Sequence, residues 1–599
     1  MTNARYFSGF LLVLLGLGSF TAQPLPQDWR TPFERDSTWS AEWKEAYAYL
    51  DRLDEVSDRI SIRTFGESDG FLPLREVVIS SPEVTTPQEA RARNKVVLLI
   101  NNAIHPGESA GVDASLMLAR EMALEDRWQE VLEDMVIVMI PYYNLDGGYA
   151  RRPHTRANQE GPAMQGFRGN GKNLDLNRDF IKCDSRNAQS FTRLFHDWDP
   201  DLFIDTHTSN GADYQATITV IPTQPDKLPP SLKAYQQDVL LPALCKGMAE
   251  KNWMMTPYVH SDGPPENGIL GFLDLPRYST GYTALFQTLG FMPETHMLKP
   301  FSERVSSTLA FLWTVCETAM GQKAQLFEAR SQARREVSSA SLWPLQWQLD
   351  TSQVDSIWFG GYEHGYKPSA VSGLPRLYYD RSLPYDRRIP YYPAYKAVLS
   401  AEKPWGWIIP QPWTAILDRL AWNEVLMYRI VGDTLLRTPV WRILSERTSN
   451  QPYEGHYVHS DVQVEEVMDT VLVRDGDIWV PADQSGIAYL MATMDPRAPD
   501  SWFAWNFLDA ILNQKEYFSD YVFEDLADEL LRSDPDLRQQ FERERQKHPE
   551  WETDANAPLE WVYRHSDYYE PTYRRYPIVK ITGPTAFQLR PYRGTSPRD

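Results

Sequence analysis

Apolar positions in the first half of the chain come in two textures. Short unbroken runs alternate with longer segments in which apolar residues recur every three or four positions. Val96-Val97-Leu98-Leu99-Ile100 is the clearest run, and its β-branched content predicts a buried strand. After Asn101-Asn102-Ala103-Ile104 the period changes, and Val112, Leu116, Ala119 and Ala123 predict a helix reaching about Glu125. His105 and Glu108 therefore fall in a loop between a core strand and a helix, a common place for binding groups. The same reading predicts a helix over 42–56, strands at 60–62, 77–79, 135–140 and 201–207, and helices over 229–251 and 302–337. His207 closes the 201–207 strand. Strands alternating with helices imply an α/β domain with a mixed central sheet flanked by helices, whose sites gather at strand ends.

Past residue 340 the pattern shifts to Trp, Tyr and Pro. Val462-Gln463-Val464 and Val471-Leu472-Val473 alternate as strands do, Asp475-Gly476 reads as a hairpin turn, and 500–546 returns to helix. Residues 23–338 are thus expected to form one domain. Residues 339–599 are expected to form an aromatic-rich C-terminal accessory domain of mixed α and β structure, of unknown role. At the other end, Arg5 precedes the apolar stretch 10–17, followed by the small residues Ser19, Thr21 and Ala22. That is the layout of a cleavable signal peptide over 1–22, too short for a membrane anchor, and it predicts a secreted or periplasmic protein.

Composition narrows the functions. A chain of 599 residues exceeds one ordinary core. The net charge of −21 with no long basic run argues against a nucleic-acid partner. Three cysteines allow one disulfide at most.

Candidate chemistry starts from His105 and Glu108, since imidazole and carboxylate are both ordinary zinc ligands. His207 is the natural third, because catalytic zinc sites use three protein ligands and two His with one Glu is a known set. Between them lies Asn173-Leu174-Asp175-Leu176-Asn177-Arg178, preceded by Arg168. Arg178 beside Asn177 suits a carboxylate, which guanidinium matches bidentately.

With these residues in view, the chain resembles the zinc metallocarboxypeptidase family of the carboxypeptidase A and carboxypeptidase D type. His105-Pro106-Gly107-Glu108 matches that family's first ligand motif. Asn144-Leu145-Asp146-Gly147 resembles its Asn-Pro-Asp-Gly stretch with Leu in place of Pro, and Asp175-Leu176-Asn177-Arg178 its substrate-carboxylate motif. Pro293-Glu294-Thr295-His296 occupies the position of its catalytic glutamate. The likeness spans roughly residues 40–325 and makes 23–338 a zinc carboxypeptidase-like catalytic domain.

The resemblance implies one zinc per chain on His105, Glu108 and His207, with Asp175 accepting the far N–H of His105. It implies Glu294 as general base, Arg168 as oxyanion stabiliser, and Asn177 and Arg178 as the binders of a free C-terminal carboxylate on a peptide or protein substrate. A tyrosine closing over the substrate is expected, Tyr282 first and Tyr278 second. Thr208-Ser209-Asn210 after the third ligand and His296 after the base depart from the family pattern and bear on specificity. Two other readings remain: a zinc amidase acting on cell-wall or other modified peptides, and a catalytically inactive peptide-binding module.

Overall fold

The computed structural model describes residues 29–592; the expected signal peptide lies outside the described residues. The predicted strands assemble into one mixed sheet. Its members are β1 (Ile60–Glu67), β2 (Pro73–Ile79), β3 (Val96–Asn101), β4 (Met135–Ile140), β5 (Leu202–Asp205), β6 (His207–Ser209), β7 (Ile218–Pro222) and β8 (Met255–Pro257). A further strand, Leu289–His296, completes it; Ile269–Leu270, which precedes it, is β9, so Leu289–His296 is β10. The order is β1-β2-β4-β3-β5-β10-β7-β8, with β6 also paired to β10. The centre (β4, β3, β5, β10) is parallel and the flanks β1-β2 and β7 antiparallel. Both faces of β3 are covered, which is why its sequence is continuously apolar. Val96, Leu98 and Ile100 enter one hydrophobic cluster, Val97 and Leu99 another on the opposite face.

Among the elements predicted before residue 340, three are broken, each for a local reason; the helix expected over 500–546 begins only at Asp520 and divides at Asp534, ahead of Pro535. The 201–207 strand divides at Thr206, whose hydroxyl donates to Asn102 Oδ1 at 2.9 Å. The helix Ala110–Leu124 comes so close to this break that a Cβ on Gly111 would collide with Thr206 and Asn102. The 229–251 helix carries a π segment at Gln236–Leu240, directly before Pro242 in Leu241–Glu250, because proline supplies no N–H to the regular ladder. The 302–337 helix is two, Phe301–Gly321 and Lys323–Ser339, parting next to Gly321, a weak helix former.

Beyond residue 340 come β11 (Leu342–Leu349), β12 (Asp355–Pro368), β13 (Pro375–Tyr392), β14 (Tyr395–Glu402), β15 (Gly406–Ile409), β16 (Met427–Ile430), β17 (Thr434–Thr448), β18 (His459–Val473) and β19 (Ile478–Pro481). β12 with β13 and β17 with β18 are long antiparallel hairpins. Asp475-Gly476 does turn, with Gly476 at φ 95°, but it joins β18 to β19 in different sheets. The turn of the β17–β18 hairpin is instead the 449–458 loop. Helices Asp520–Ser533, Pro535–Lys547 and Asn556–Arg564 close over a small core of Phe523, Leu559, Val562 and Tyr563.

One hydrophobic cluster runs from Phe191, Phe195 and Tyr282 through Val337 into Leu345, Trp407, Ile409, Tyr489, Trp502 and Trp505. Many late aromatics are therefore core, although Trp405 is half-exposed. The three cysteines are unpaired. Among the described residues no helix is long and apolar enough to cross a membrane.

Candidate functional site

Where β3 ends, Ala103 takes a left-handed φ of 54°, and a tight turn follows in which Glu108 N donates to His105 O at 2.8 Å. That turn converts a three-residue spacing into a contact: His105 Nδ1 lies 3.3 Å from Glu108 Oε2. His207, the first residue of β6, brings its Nδ1 to 3.2 Å from the same oxygen. All three side chains are buried, and their ligand atoms lie within 4.8 Å of one another.

A carboxylate stands behind each far ring nitrogen. His105 Nε2 donates to Asp175 Oδ1 at 2.8 Å, and His207 Nε2 lies 3.1 Å from Asp205 Oδ2. Asp205 in turn accepts from Asn101 Nδ2 at 3.1 Å. Both rings thus present Nδ1 to the centre, and His105 Nδ1 is buried with no hydrogen-bond partner. Two imidazole nitrogens and a carboxylate oxygen, oriented from behind, fit a zinc ion. Asp205 was not anticipated; its signal was the spacing of two from His207 along extended chain, which keeps both on one face.

Sheet register sets the next residue. Glu294 on β10 is the direct partner of His207 on β6, so the glutamate stands beside the three candidate ligands. Burial pushes its carboxyl up to about 7, against the pull of His207. Burial acts the same way on Glu108, but Arg156 and His105 outweigh it and hold that carboxyl well below its usual value.

Two arginines meet Glu108 Oε1: Arg156 Nη1 at 2.5 Å and Arg168 Nη1 at 3.2 Å. Arg168 Nε also donates to Asp175 Oδ2 at 2.8 Å. Asn144 ties this loop down, donating to the carbonyls of Ile104 and Arg168. Arg156 had no sequence signal, since a lone arginine in a polar loop reads as solvated surface.

The cleft measures about 270 Å³. Asn177 and Arg178 line the same cleft, with Tyr258, Tyr278, Ile221, Phe272 and Met292 as further walls. Asn177 Oδ1 accepts from Ser279 N at 3.3 Å, and the Arg178 guanidinium lies 4.5 Å from the centre of the Tyr278 ring.

Tyr282 is not brought to the cleft, which corrects the expected choice of tyrosine. It lies one helical turn beyond Tyr278, fully buried between Phe180, Phe195 and Phe286, and its hydroxyl donates to Asn423 Oδ1 at 2.7 Å. Tyr282→Phe should therefore lower unfolding stability by about 1 kcal/mol in denaturant titration while leaving initial peptidase rates within twofold. A large rate loss with unchanged stability would return Tyr282 to the site.

His296 is likewise committed elsewhere: Nε2 donates to Ala212 O at 2.8 Å and Nδ1 accepts from Leu298 N at 3.2 Å. His456 contacts Asp184 and Asn506, and His459 contacts Asp509 and Thr448.

Residues 46–242 match the model of a protein family described as zinc carboxypeptidase. This stretch is a zinc carboxypeptidase domain. It contains His105, Glu108, Arg168, Asp175, Asn177, Arg178 and His207, and ends before Glu294. The chain is 20% identical over 457 residues to carboxypeptidase 2 of Trichophyton rubrum, covering 73% of this chain and 78% of that one. It is 20% identical over 436 residues to carboxypeptidase 2 of Trichophyton equinum, covering 69% and 74%. Among solved structures it is similar to a metallo-carboxypeptidase from Burkholderia cenocepacia, at 16% identity and a TM-score of 0.36, over 47% of this chain and 70% of that one. Carboxypeptidase A from Helicoverpa armigera aligns at 13% identity and 0.36, over 47% and 74%. With its carboxypeptidase domain, the chain is a hydrolase of the metallocarboxypeptidase class.

Proposed function

We propose that the protein is an exported carboxypeptidase that binds one zinc per chain and removes C-terminal residues from peptides. The observation that carries this reading is that one cleft is lined both by the His105–Glu108–His207 cluster with Glu294 and by Asn177 with Arg178. Zinc held by His105 Nδ1, Glu108 and His207 Nδ1 would supply Lewis acidity, polarising a carbonyl and acidifying water. Glu294 takes a proton from the attacking water and delivers it to the leaving amine, a role suited to a carboxyl poised near 7. Arg168 stabilises charge developing on the scissile carbonyl oxygen. Arg178 and Asn177 bind the terminal carboxylate, which places the last peptide bond over the glutamate. The walls Ile221, Phe272 and Met292 favour an apolar terminal side chain.

The test compares a peptide ending in Phe or Leu as the free acid with the same peptide amidated. Losing a charge-assisted hydrogen bond costs roughly 1.5–3 kcal/mol, so the free acid should be cleaved about ten- to hundredfold faster in kcat/KM. Arg178→Ala should erase most of that preference. Equal cleavage of acid and amide by the unmodified enzyme would refute the exopeptidase reading and point to an endopeptidase or amidase.

A further inference from the structure

The 449–458 loop, at the tip of the β17–β18 hairpin, crosses from the C-terminal half onto the Asp175–Arg178 segment. Its apex is a two-residue turn: Tyr453 N donates to His456 O at 2.8 Å and His456 N to Tyr453 O at 3.1 Å. The two residues between, Glu454 and Gly455, have φ of 51° and 82°. Turns of this kind favour Asn-Gly, and a glutamate at positive φ is conformationally costly. The glutamate here has a use, because its Oε2 accepts from Asp175 N at 2.7 Å. Beside it, Tyr453 Oη accepts from Arg178 Nε at 2.9 Å.

Arg178 is thereby held on three sides. Nε goes to Tyr453, Nη1 donates to Asn177 O at 2.9 Å, and the guanidinium face lies over Tyr278. Nη1 also lies 4.0 Å from Asp175 Oδ2, so two anchored N–H groups and a stacked face fix the plane of the fork and leave Nη2 to meet a ligand carboxylate. The tyrosine is itself anchored. Its ring stacks on Trp505 at 6.1 Å with an interplanar angle of 18°. Trp505 is packed by Arg277 at 4.9 Å, and Arg277 Nε pairs with Asp500 at 2.9 Å. His456 pins the other side of the turn through Asp184 Oδ2 at 2.7 Å and Asn506 Oδ1 at 2.6 Å.

We propose that Tyr453 is a positioning residue for substrate recognition: the hairpin loop of the C-terminal half completes the carboxylate subsite by holding the Arg178 fork in its binding orientation. The inference rests on the reading of Arg178 as the carboxylate binder, and it gives the C-terminal half a part in recognition. A fork ordered in advance loses less freedom when the ligand arrives, so the effect belongs in binding rather than in the chemical step.

Tyr453→Phe removes only the hydroxyl and keeps the ring on Trp505. On the free-acid peptide it should raise KM about three- to tenfold, less than the full worth of a charge-assisted bond because Asn177 O and the Tyr278 ring still hold the fork, with kcat changed less than twofold. On the amidated peptide kcat/KM should move less than twofold, and in an Arg178→Ala background the substitution should add nothing. The proposal is overturned if Tyr453→Phe leaves KM for the free acid unchanged in an enzyme that does prefer free acids. An equal loss on acid and amide, or a further loss in the Arg178→Ala background, overturns it too. If the unmodified enzyme shows no preference for the free acid, the reading of Arg178 falls, and this inference with it; that result is distinct from the others because it appears before any substitution.

Discussion

Glu294→Gln should lower kcat by roughly two to four orders of magnitude, the usual contribution of a positioned general base, while zinc content and substrate affinity stay within about threefold. Glutamine has the shape of glutamate but accepts no proton at neutral pH. The backbone pairing of Glu294 with His207 across β10 and β6 does not depend on the side chain, so the cleft should keep its form. Burial holds the Glu294 carboxyl near 7, close to the pH at which one group both accepts and returns a proton effectively. The measurement pairs steady-state rates with metal analysis and inhibitor binding on the same preparation. A kcat within tenfold of the parent enzyme would move the base elsewhere. His296 is a poor substitute, since both of its ring nitrogens are already engaged by Ala212 O and Leu298 N.

Part of this site was legible because the His105–Glu108 motif sits where a strand meets a loop. Hydrophobic runs located β3, β4 and β5 and so marked the strand ends beside His105 and His207. The three-residue spacing of His105 and Glu108 was enough to suggest a shared ion, since a tight turn folds one onto the other. Arg156 was illegible for the opposite reason: it reaches Glu108 from an irregular loop with no periodic pattern. Tyr258 likewise lines the cleft from chain that no motif marks.

The choice of Tyr282 failed on direction. Tyr278 and Tyr282 lie one turn apart, and only the fold determines which of them reaches solvent. Distance along the chain hid the 449–458 loop altogether. Tyr453 and Arg178 are separated by 275 positions, and the change of texture past residue 340 carries no sign that a hairpin there returns to the carboxylate motif. That change marks a switch from helices to long hairpins, while the hydrophobic cluster beneath continues across it.

His207→Ala should lose most of its zinc. Purified parent enzyme should carry about one zinc per chain, with the metal shared among His105, Glu108 and His207. Weakening a group that merely orients a ligand costs about 10- to 100-fold in metal affinity, and removing one of three ligands should cost at least the upper end of that range. Among the described residues the nearest spare oxygens are committed: Asp205 stands behind the His207 ring rather than at the centre, and Glu108 Oε1 is taken by Arg156 and Arg168. Asp205→Asn makes a graded companion. It keeps the shape behind His207 but removes the charge that favours the ring's N–H, so zinc affinity should fall about 10- to 100-fold without abolition. Competition with a chelator of known affinity measures both variants on one scale, and circular dichroism on the same samples separates loss of metal from loss of fold. Full zinc occupancy in His207→Ala, with the fold intact, would remove His207 from the ligand set. An Asp205→Asn variant that binds zinc as tightly as the parent would leave His207 a ligand but show that Asp205 does not orient it.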